Sequence, residues 1–197
     1  MSVILHTSEG DLMVQLHYEA CPKASFNFLA LCASQYYDGT MFHRNIPSAL
    51  IQGGDPTGTG KGGESIYMKF RDATHSNQRS HEQPGETATP SSSAGSSHTE
   101  SVSSKYFEDE GFGVTSHSTR GVISMAHKGK KDNSNASQFF ILYGPQPSFD
   151  GVYTAFGEAV GDASRQTLDR LEERGRQQQQ QQQKGIPLVE APRILSC

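Results

Sequence analysis

Four features of this chain have residue types and spacings that could do chemistry: a glycine-rich loop, three thiols, eight imidazoles and a run of carboxylates. Gly58-Thr59-Gly60-Lys61-Gly62-Gly63 matches G-x-G-x-x-G, the pattern that brings backbone close to a pyrophosphate at a helix N-terminus. That use needs a strand before the loop and a helix behind it. Here Pro56 precedes the loop and the β-type run Ser65-Ile66-Tyr67 follows, so the match reads as a glycine-rich turn by chance. Lys61 is followed by Gly62 where a P-loop needs Ser or Thr for magnesium. Cys21, Cys32 and Cys197 are too widely spaced for a disulfide framework or a C-x-x-C pair, which fits a reducing compartment. Buried structural thiols are also far commoner than nucleophilic ones. The histidines show neither i, i+4 pairing nor a Cys/His cluster, so no metal site is expected. Asp38, Asp55, Glu108, Asp109 and Glu110 read as solvated acidic loops. Residue order alone singles out no Ser-His-Asp arrangement.

The elements that must position any site read mainly as strands. Val3–Thr7, the turn Ser8-Glu9-Gly10 and Asp11–Leu16 form a hairpin pattern. Pro22 can start a helix running to Ser34, with Phe26, Phe28, Leu29, Leu31 and Cys32 as its apolar face. Tyr36-Tyr37-Asp38-Gly39 marks a turn. Apolar runs follow at Met41–Phe42, Leu50–Gln52, Val122–Ala126, Phe139–Leu142 and Ala155–Val160. A second helix is predicted over Ser164–Arg174 with Leu168 and Leu171 on one face, and a closing strand over Arg193–Ser196. Short strands with two helices suggest a β-barrel whose ends the helices cover.

Two segments stand apart by composition. Residues 71–104 carry only Ala73, Ala88, Ala94 and Val102 as apolar members. They cannot bury enough surface to offset the entropy of ordering, so this Ser-rich stretch reads as a disordered insertion. The Gln-rich segment 175–186 either extends the second helix or is coil. With 197 residues one domain is expected, and Lys+Arg 17 against Asp+Glu 21 argues against direct nucleic-acid binding. No run is apolar and long enough to span a bilayer, and the N-terminus lacks the basic and apolar regions of a signal peptide.

One set of motifs holds together. Phe42-His43-Arg44-Asn45-Ile46-Pro47-Ser48-Ala49-Leu50-Ile51-Gln52-Gly53-Gly54-Asp55, Ser137-Gln138-Phe139-Phe140-Ile141 and Phe149-Asp150-Gly151 closely resemble the cyclophilin-type peptidyl-prolyl cis-trans isomerases. Gly62–Tyr67, Phe107–Glu110, Gly121–Ala126 and Phe156-Gly157 match as well. Within the family the chain most resembles the peptidyl-prolyl isomerase-like protein 3 subgroup. The resemblance implies a mainly β fold, a closed eight-stranded antiparallel barrel capped by two α-helices. It implies a cofactor-free, metal-free enzyme that interconverts X-Pro bonds in proline-containing peptides and proteins. It places Arg44, Gln52 and Phe140 in the catalytic positions. Ala49, Leu50, Ala126, His127, Gln138, Phe149 and Tyr153 fall at substrate-binding positions. The subgroup further implies spliceosomal partners and a nuclear, in part cytoplasmic, monomer.

The chain departs from the family at several of these positions. Ala49 stands where an aromatic is usual, and His127 where Asn is usual. Ser148 takes the place of the pocket Trp of drug-sensitive members, which implies weak cyclosporin binding. Tyr153 replaces a pocket His. Residues 130–136 look longer than usual, with Ala136 at a Gly position. These departures keep a second class open, a cyclophilin-fold binding module with little catalysis.

Overall fold

Alternating apolar and polar residues at the N-terminus fold into the hairpin of β1 (Ser2–Thr7) and β2 (Gly10–Leu16). Their register runs from Thr7 opposite Gly10 to Ser2 opposite Gln15. Leu5, Leu12, Val14 and Leu16 all face inward from it. Gly10 has φ +125°, and a Cβ there would strike the Arg170 and Thr167 side chains, so only glycine fits the end of this turn. The computed structural model describes residues 1–68, 105–129, 131–184 and 190–197. The disorder expected for 71–104 therefore falls outside the described residues.

Helix α1 (Pro22–Ala33) begins on Pro22, whose missing N–H costs nothing in a first turn. No local side chain caps it. The Glu110 carboxylate accepts from the Lys23 and Ala24 N–H groups instead, at 3.2 and 2.9 Å. Its buried face is Ala24, Asn27, Phe28, Leu31 and Cys32. Phe26 was expected on that face but is exposed, packing its ring toward Tyr67 at 6.1 Å.

The remaining strands are β3 (Arg44–Ile46), β4 (Leu50–Gly53), β5 (Val122–Met125), β6 (Phe139–Leu142), β7 (Ala155–Val160) and β8 (Ile194–Ser196). All pairings are antiparallel, in the order β3-β4-β6-β5-β7-β2-β1-β8. The two ends of this sheet meet just ahead of β3. Met41 bridges Arg193, Phe42 N–H donates to Pro192 C=O at 2.8 Å, and Ile194 N–H donates to Thr40 C=O at 2.9 Å. The sheet thus curls into the expected barrel, which leaves few free strand edges. Strand β3 has no apolar run to announce it, since Arg44-Asn45-Ile46 holds one aliphatic residue.

Helix α2 (Asp162–Lys184) is ten residues longer at its C-terminus than the predicted Ser164–Arg174 and carries the glutamine run as helix. Glutamine is a good helix former, and Arg176 pairs back to Glu172 at 2.6 Å across one turn. Leu168 and Leu171 are buried as their spacing predicts. Asn45 Nδ2 donates to the Leu171 carbonyl at 2.8 Å, which ties α2 to β3. Gly175 lies against the Asn45 amide, where a Cβ would come within 2.7 Å of its Oδ1.

Along β4, β5 and β6 the side chains alternate between the barrel interior and the outer face. Ile51, Ile123, Met125, Phe139 and Ile141 point into the main core. Leu50, Val122, Phe140 and Leu142 point outward and form a second, separate apolar cluster with Ala126, Ala155, Phe149 and Tyr153.

Candidate active site

That outer cluster exists because the strand register lines up one row of residues across the sheet. Arg44 on β3 is the partner of Gln52 on β4, Gln52 of Phe140 on β6, and Phe140 of Ser124 on β5. Cross-strand partners share a face, so Arg44, Gln52 and Phe140 stand side by side although they span almost a hundred residues of chain. Arg44 is exposed, Gln52 half-buried and Phe140 buried. The row grades from charge to apolar surface.

Three rings form a nest at the apolar end. Phe140 meets Phe149 at 5.6 Å and Tyr153 at 5.3 Å, and Phe149 meets Tyr153 at 5.1 Å, all with steep interplanar angles. Edge-to-face contacts of this kind favour one fixed arrangement of the rings. Leu50 and Ala126 complete the walls. Ala49 does not join the cluster. It is the last residue of the Pro47-Ser48-Ala49 turn and is half-buried, and its carbonyl accepts from Tyr143 N–H at 2.9 Å.

Behind the rings lies a hydrogen-bonded chain that residue order had not revealed. His117 stacks on Phe140 at 6.4 Å and meets the edge of Phe149 at 5.8 Å. Its Nδ1 is 2.8 Å from Asp150 Oδ1 and its Nε2 is 2.8 Å from Ser124 Oγ. A carboxylate only accepts, so Nδ1 carries a proton. The His117 side chain and backbone N–H together hold the Asp150 carboxyl below its ordinary value. Ser124 and His117 are fully enclosed, so this Ser-His-Asp set has no nucleophile to offer a substrate. It fixes the two rings in front of it.

The polar side of the nest is a relay of amides. Gln52 Nε2 donates to Gln138 Oε1 at 2.9 Å, and Gln138 Nε2 donates to the Gly62 carbonyl at 2.9 Å. The glycine-rich loop, read from sequence as a chance pattern, thus belongs to the site, and the run Ser65-Ile66-Tyr67 behind it, expected as β-type, is instead helical over residues 66–68. It wraps the buried Asp55, which accepts from Thr57 N–H, Thr57 Oγ1 and Gly62 N–H. A Cβ at Gly62 would reach 2.2 Å from Asp55 Oδ1. Burial pushes the Asp55 pKa up, but these donors outweigh it and hold the group below its ordinary value. Among the described residues the Arg44 guanidinium has no hydrogen-bond partner and no ion pair, so its donors face solvent.

At Ala126 the strand ends. Ala126 N–H donates to Gln138 C=O at 2.9 Å, while the Ala126 carbonyl and the His127 N–H have no partner among the described residues. The His127 side chain turns the other way, with its ring 4.8 Å from Tyr153 and Nε2 2.7 Å from Asp109 Oδ1. Asp109 also accepts from Asn133 N–H and Asn135 Nδ2, both at 2.8 Å. Burial raises its pKa, yet these donors hold it lower than usual. The acidic residues expected to be solvated loops are therefore mostly structural: Asp55 and Asp109 are buried anchors, and Glu110 caps α1.

Of the residues singled out from sequence, the fold brings Arg44, Leu50, Gln52, Ala126, His127, Gln138, Phe140, Phe149 and Tyr153 to one face, with Ala49 beside it. Not recognised as site residues were His117, Ser124, Asp150 and Asp109, because the His117–Asp150 and His127–Asp109 bonds join segments 33 and 18 residues apart and Ser124 enters only through His117. A separate surface cleft of about 930 Å³ shares only Val122 with the apolar cluster. No group of His, Cys, Asp and Glu among the described residues could hold a metal, and no described helix is long and apolar enough to cross a membrane.

Comparison with known proteins matches this architecture. The model of the family "Cyclophilin type peptidyl-prolyl cis-trans isomerase/CLD" matches residues 2–197. Peptidyl-prolyl cis-trans isomerase-like 3 from mouse is 42% identical over 172 residues, 87% of this chain and 82% of its own length. Peptidyl-prolyl cis-trans isomerase CYP18-1 from Arabidopsis thaliana is 42% identical over 81% of this chain and 76% of its own. A crystal structure of a Cryptosporidium parvum cyclophilin type peptidyl-prolyl cis-trans isomerase superposes with TM-score 0.71 at 36% identity, covering 99% of this chain and 94% of that one. A structure of the same parasite protein in the presence of the dipeptide Ala-Pro gives TM-score 0.71 at 35% identity, covering 100% and 96%.

Proposed function

The chain belongs to the cyclophilin-type peptidyl-prolyl cis-trans isomerase family, and from that premise we propose how its own residues catalyse the reaction. The protein is an isomerase of X-Pro peptide bonds in proline-containing peptides and proteins. The bond it turns is held planar by resonance, with a barrier of ~18–20 kcal/mol. Uncatalysed, the interconversion takes roughly tens to hundreds of seconds. No bond is made or broken, so the task is to bind the twisted amide better than the planar one.

The proline ring docks in the nest of Phe140, Phe149 and Tyr153, against Leu50 and Ala126. There the rigid rings hold it while the rest of the peptide rotates. The Ala126 carbonyl and His127 N–H pair with the substrate main chain. Arg44 donates to the prolyl nitrogen, which gains a lone pair as it leaves the amide plane. That interaction exists only in the twisted state, which is where donation accelerates the step. Gln52 and Gln138, fixed to one another and to Gly62, hold the flanking carbonyl.

The observation that carries this reading is the single register row that sets an unpartnered guanidinium two strands away from an aromatic pocket. A protease-coupled assay on an Ala-Pro-Phe peptide tests it. Wild type is expected to exceed buffer and Arg44→Ala to fall close to it. A wild-type rate equal to buffer would remove the enzyme reading and leave a binding module. Equal rates in both proteins would remove only the role given to Arg44.

We also propose spliceosomal protein clients for a monomeric protein located in the nucleus and in part in the cytoplasm. Support comes from the similarity to the isomerase-like 3 proteins, 42% identical over most of both chains. Co-purification with spliceosomal particles from nuclear extract, beside sedimentation of the free protein, tests this reading.

A further inference from the structure

A cavity of about 380 Å³ adjoins the ring nest at Ala126 and shares the Gln52–Gln138 pair with it. Its lining is neutral at this inner end. Its outer lining includes Lys61, Tyr106 and Lys128, with both lysines exposed. The Lys128 ammonium lies 5.6 Å from the centroid of the Tyr106 ring, and that of Lys105 lies 5.9 Å from the same ring. One ring thus gathers two cations beside the cavity.

None of Lys61, Lys105 and Lys128 forms an ion pair with the described residues, whereas Lys23 is paired with Glu108. The carboxylates bonded to the cavity's walls turn their oxygens to other donors and make no ion pair with these lysines. Asp109 accepts from His127, Asn133 and Asn135, and Asp55 from Thr57 and Gly62. The chain as a whole carries a net charge of -4, so this positive rim is not the overflow of a basic protein. It is a local concentration of charge opposite to the net sign, set beside the site.

We propose that Lys61 and Lys128 make this cavity select an anionic side chain, the carboxylate of Asp or Glu or a phosphorylated Ser or Thr, within three residues of the isomerised proline. The proposal rests on the isomerase reading above and adds a sequence preference to it. An extended peptide advances roughly 3.3–3.6 Å per residue, so a chain whose proline sits in the nest carries its near neighbours past this opening. Lys61 and Lys128 attract the anion. The Tyr106 ring holds Lys128 in place, and the neutral inner wall admits the side chain's stem.

The test measures kcat/KM by exchange NMR on the full chain, which avoids the sequence preference of a coupling protease. The substrates are peptides with one proline and with Gln, Glu or phosphoserine at each position from three before to three after it. At low ionic strength Glu is expected to exceed Gln by about threefold at one or two of these positions. Phosphoserine, with a charge of about -1.5 to -2, is expected to exceed it by about tenfold. Both ratios should shrink at 0.5 M salt, as roughly 4–5 Å screening requires, and fall to one in the Lys61→Gln/Lys128→Gln variant. Glu matching phosphoserine would assign the subsite to carboxylates, and a clear phosphoserine advantage to phosphate; either supports it. Ratios of one at every position, with the Gln peptides still isomerised, would overturn the subsite and leave the isomerase intact. A preference that survives in the double variant would overturn it too. No turnover of the Gln peptides would instead overturn the isomerase reading beneath it.

Discussion

Arg44 and Gln52 are register partners across the β3–β4 ladder, yet their side chains are not bonded to each other. The Gln52 amide turns along the sheet to Gln138 and leaves the guanidinium without a partner among the described residues. An arginine tied into an ion pair would have to break it to meet substrate. This one is held only by its strand.

Replacing Arg44 therefore separates catalysis from stability. Arg44→Ala is expected to lower kcat/KM by about a hundred- to a thousandfold, the usual loss when one donor to developing charge is removed. Because the side chain is exposed, the unfolding free energy should move by no more than about 0.5 kcal/mol. Exchange NMR and urea denaturation on the same preparation check both halves.

Ser124 gives the opposite pattern. Ser124→Ala leaves His117 Nε2 enclosed without its partner. That should cost about 1–3 kcal/mol in urea denaturation. With His117 loosened behind Phe140 and Phe149, KM for a prolyl peptide should rise more than kcat falls. An unchanged KM would show that the rings hold their places without this chain.

Acid should unfold the protein through Asp55, Asp109 and Glu172, all held below their ordinary values. In each case burial raises the pKa and hydrogen-bond donors outweigh it, with Arg120 the leading donor to Glu172. In the unfolded chain these groups take up protons near 3.8 for Asp and 4.5 for Glu, while the folded protein refuses them until lower pH. Their stabilisation is thus complete above the unfolded values and is lost as pH falls through the depressed folded ones. Thermal unfolding between pH 7 and pH 3 should show Tm falling below about pH 5, and Asp55→Asn should flatten that fall.

Ser148 lies exposed in the turn Pro147–Phe149 at the edge of the ring nest. With no tryptophan in the chain, that edge lacks a large ring. Calorimetry should find cyclosporin binding weaker than nanomolar. Ser148→Trp should tighten it by about tenfold, in line with the roughly 0.5–1.5 kcal/mol that an added aromatic pair contributes. A nanomolar Kd for the wild type would contradict the expectation.

The alternation of Leu50-Ile51-Gln52 and Phe139-Phe140-Ile141-Leu142 is legible in the sequence, because a strand writes its two faces into every second residue. The hairpin at the N-terminus, the Pro22 helix start and the Leu168/Leu171 face are legible for the same reason: each depends on neighbours a few positions away. The motif around Arg44, with Gln138-Phe139-Phe140, also carried the family. Strand β3 was not legible, since three residues with one aliphatic side chain become a strand only when β4 supplies the ladder. Nor was the nature of the polar residues. Asp55 and Asp109 look like solvated loop carboxylates until the fold encloses them with donors. Glu110 caps a helix through the N–H of Lys23, 87 residues earlier in the chain. His117, Ser124 and Asp150 meet only because β5, the loop before it and the turn after β6 converge. Periodicity records which side of an element faces the core. Only tertiary contact decides whether a charge or an amide is solvated, anchored or left free to meet a substrate, because burial and long-range partners reverse what the same residue does in water.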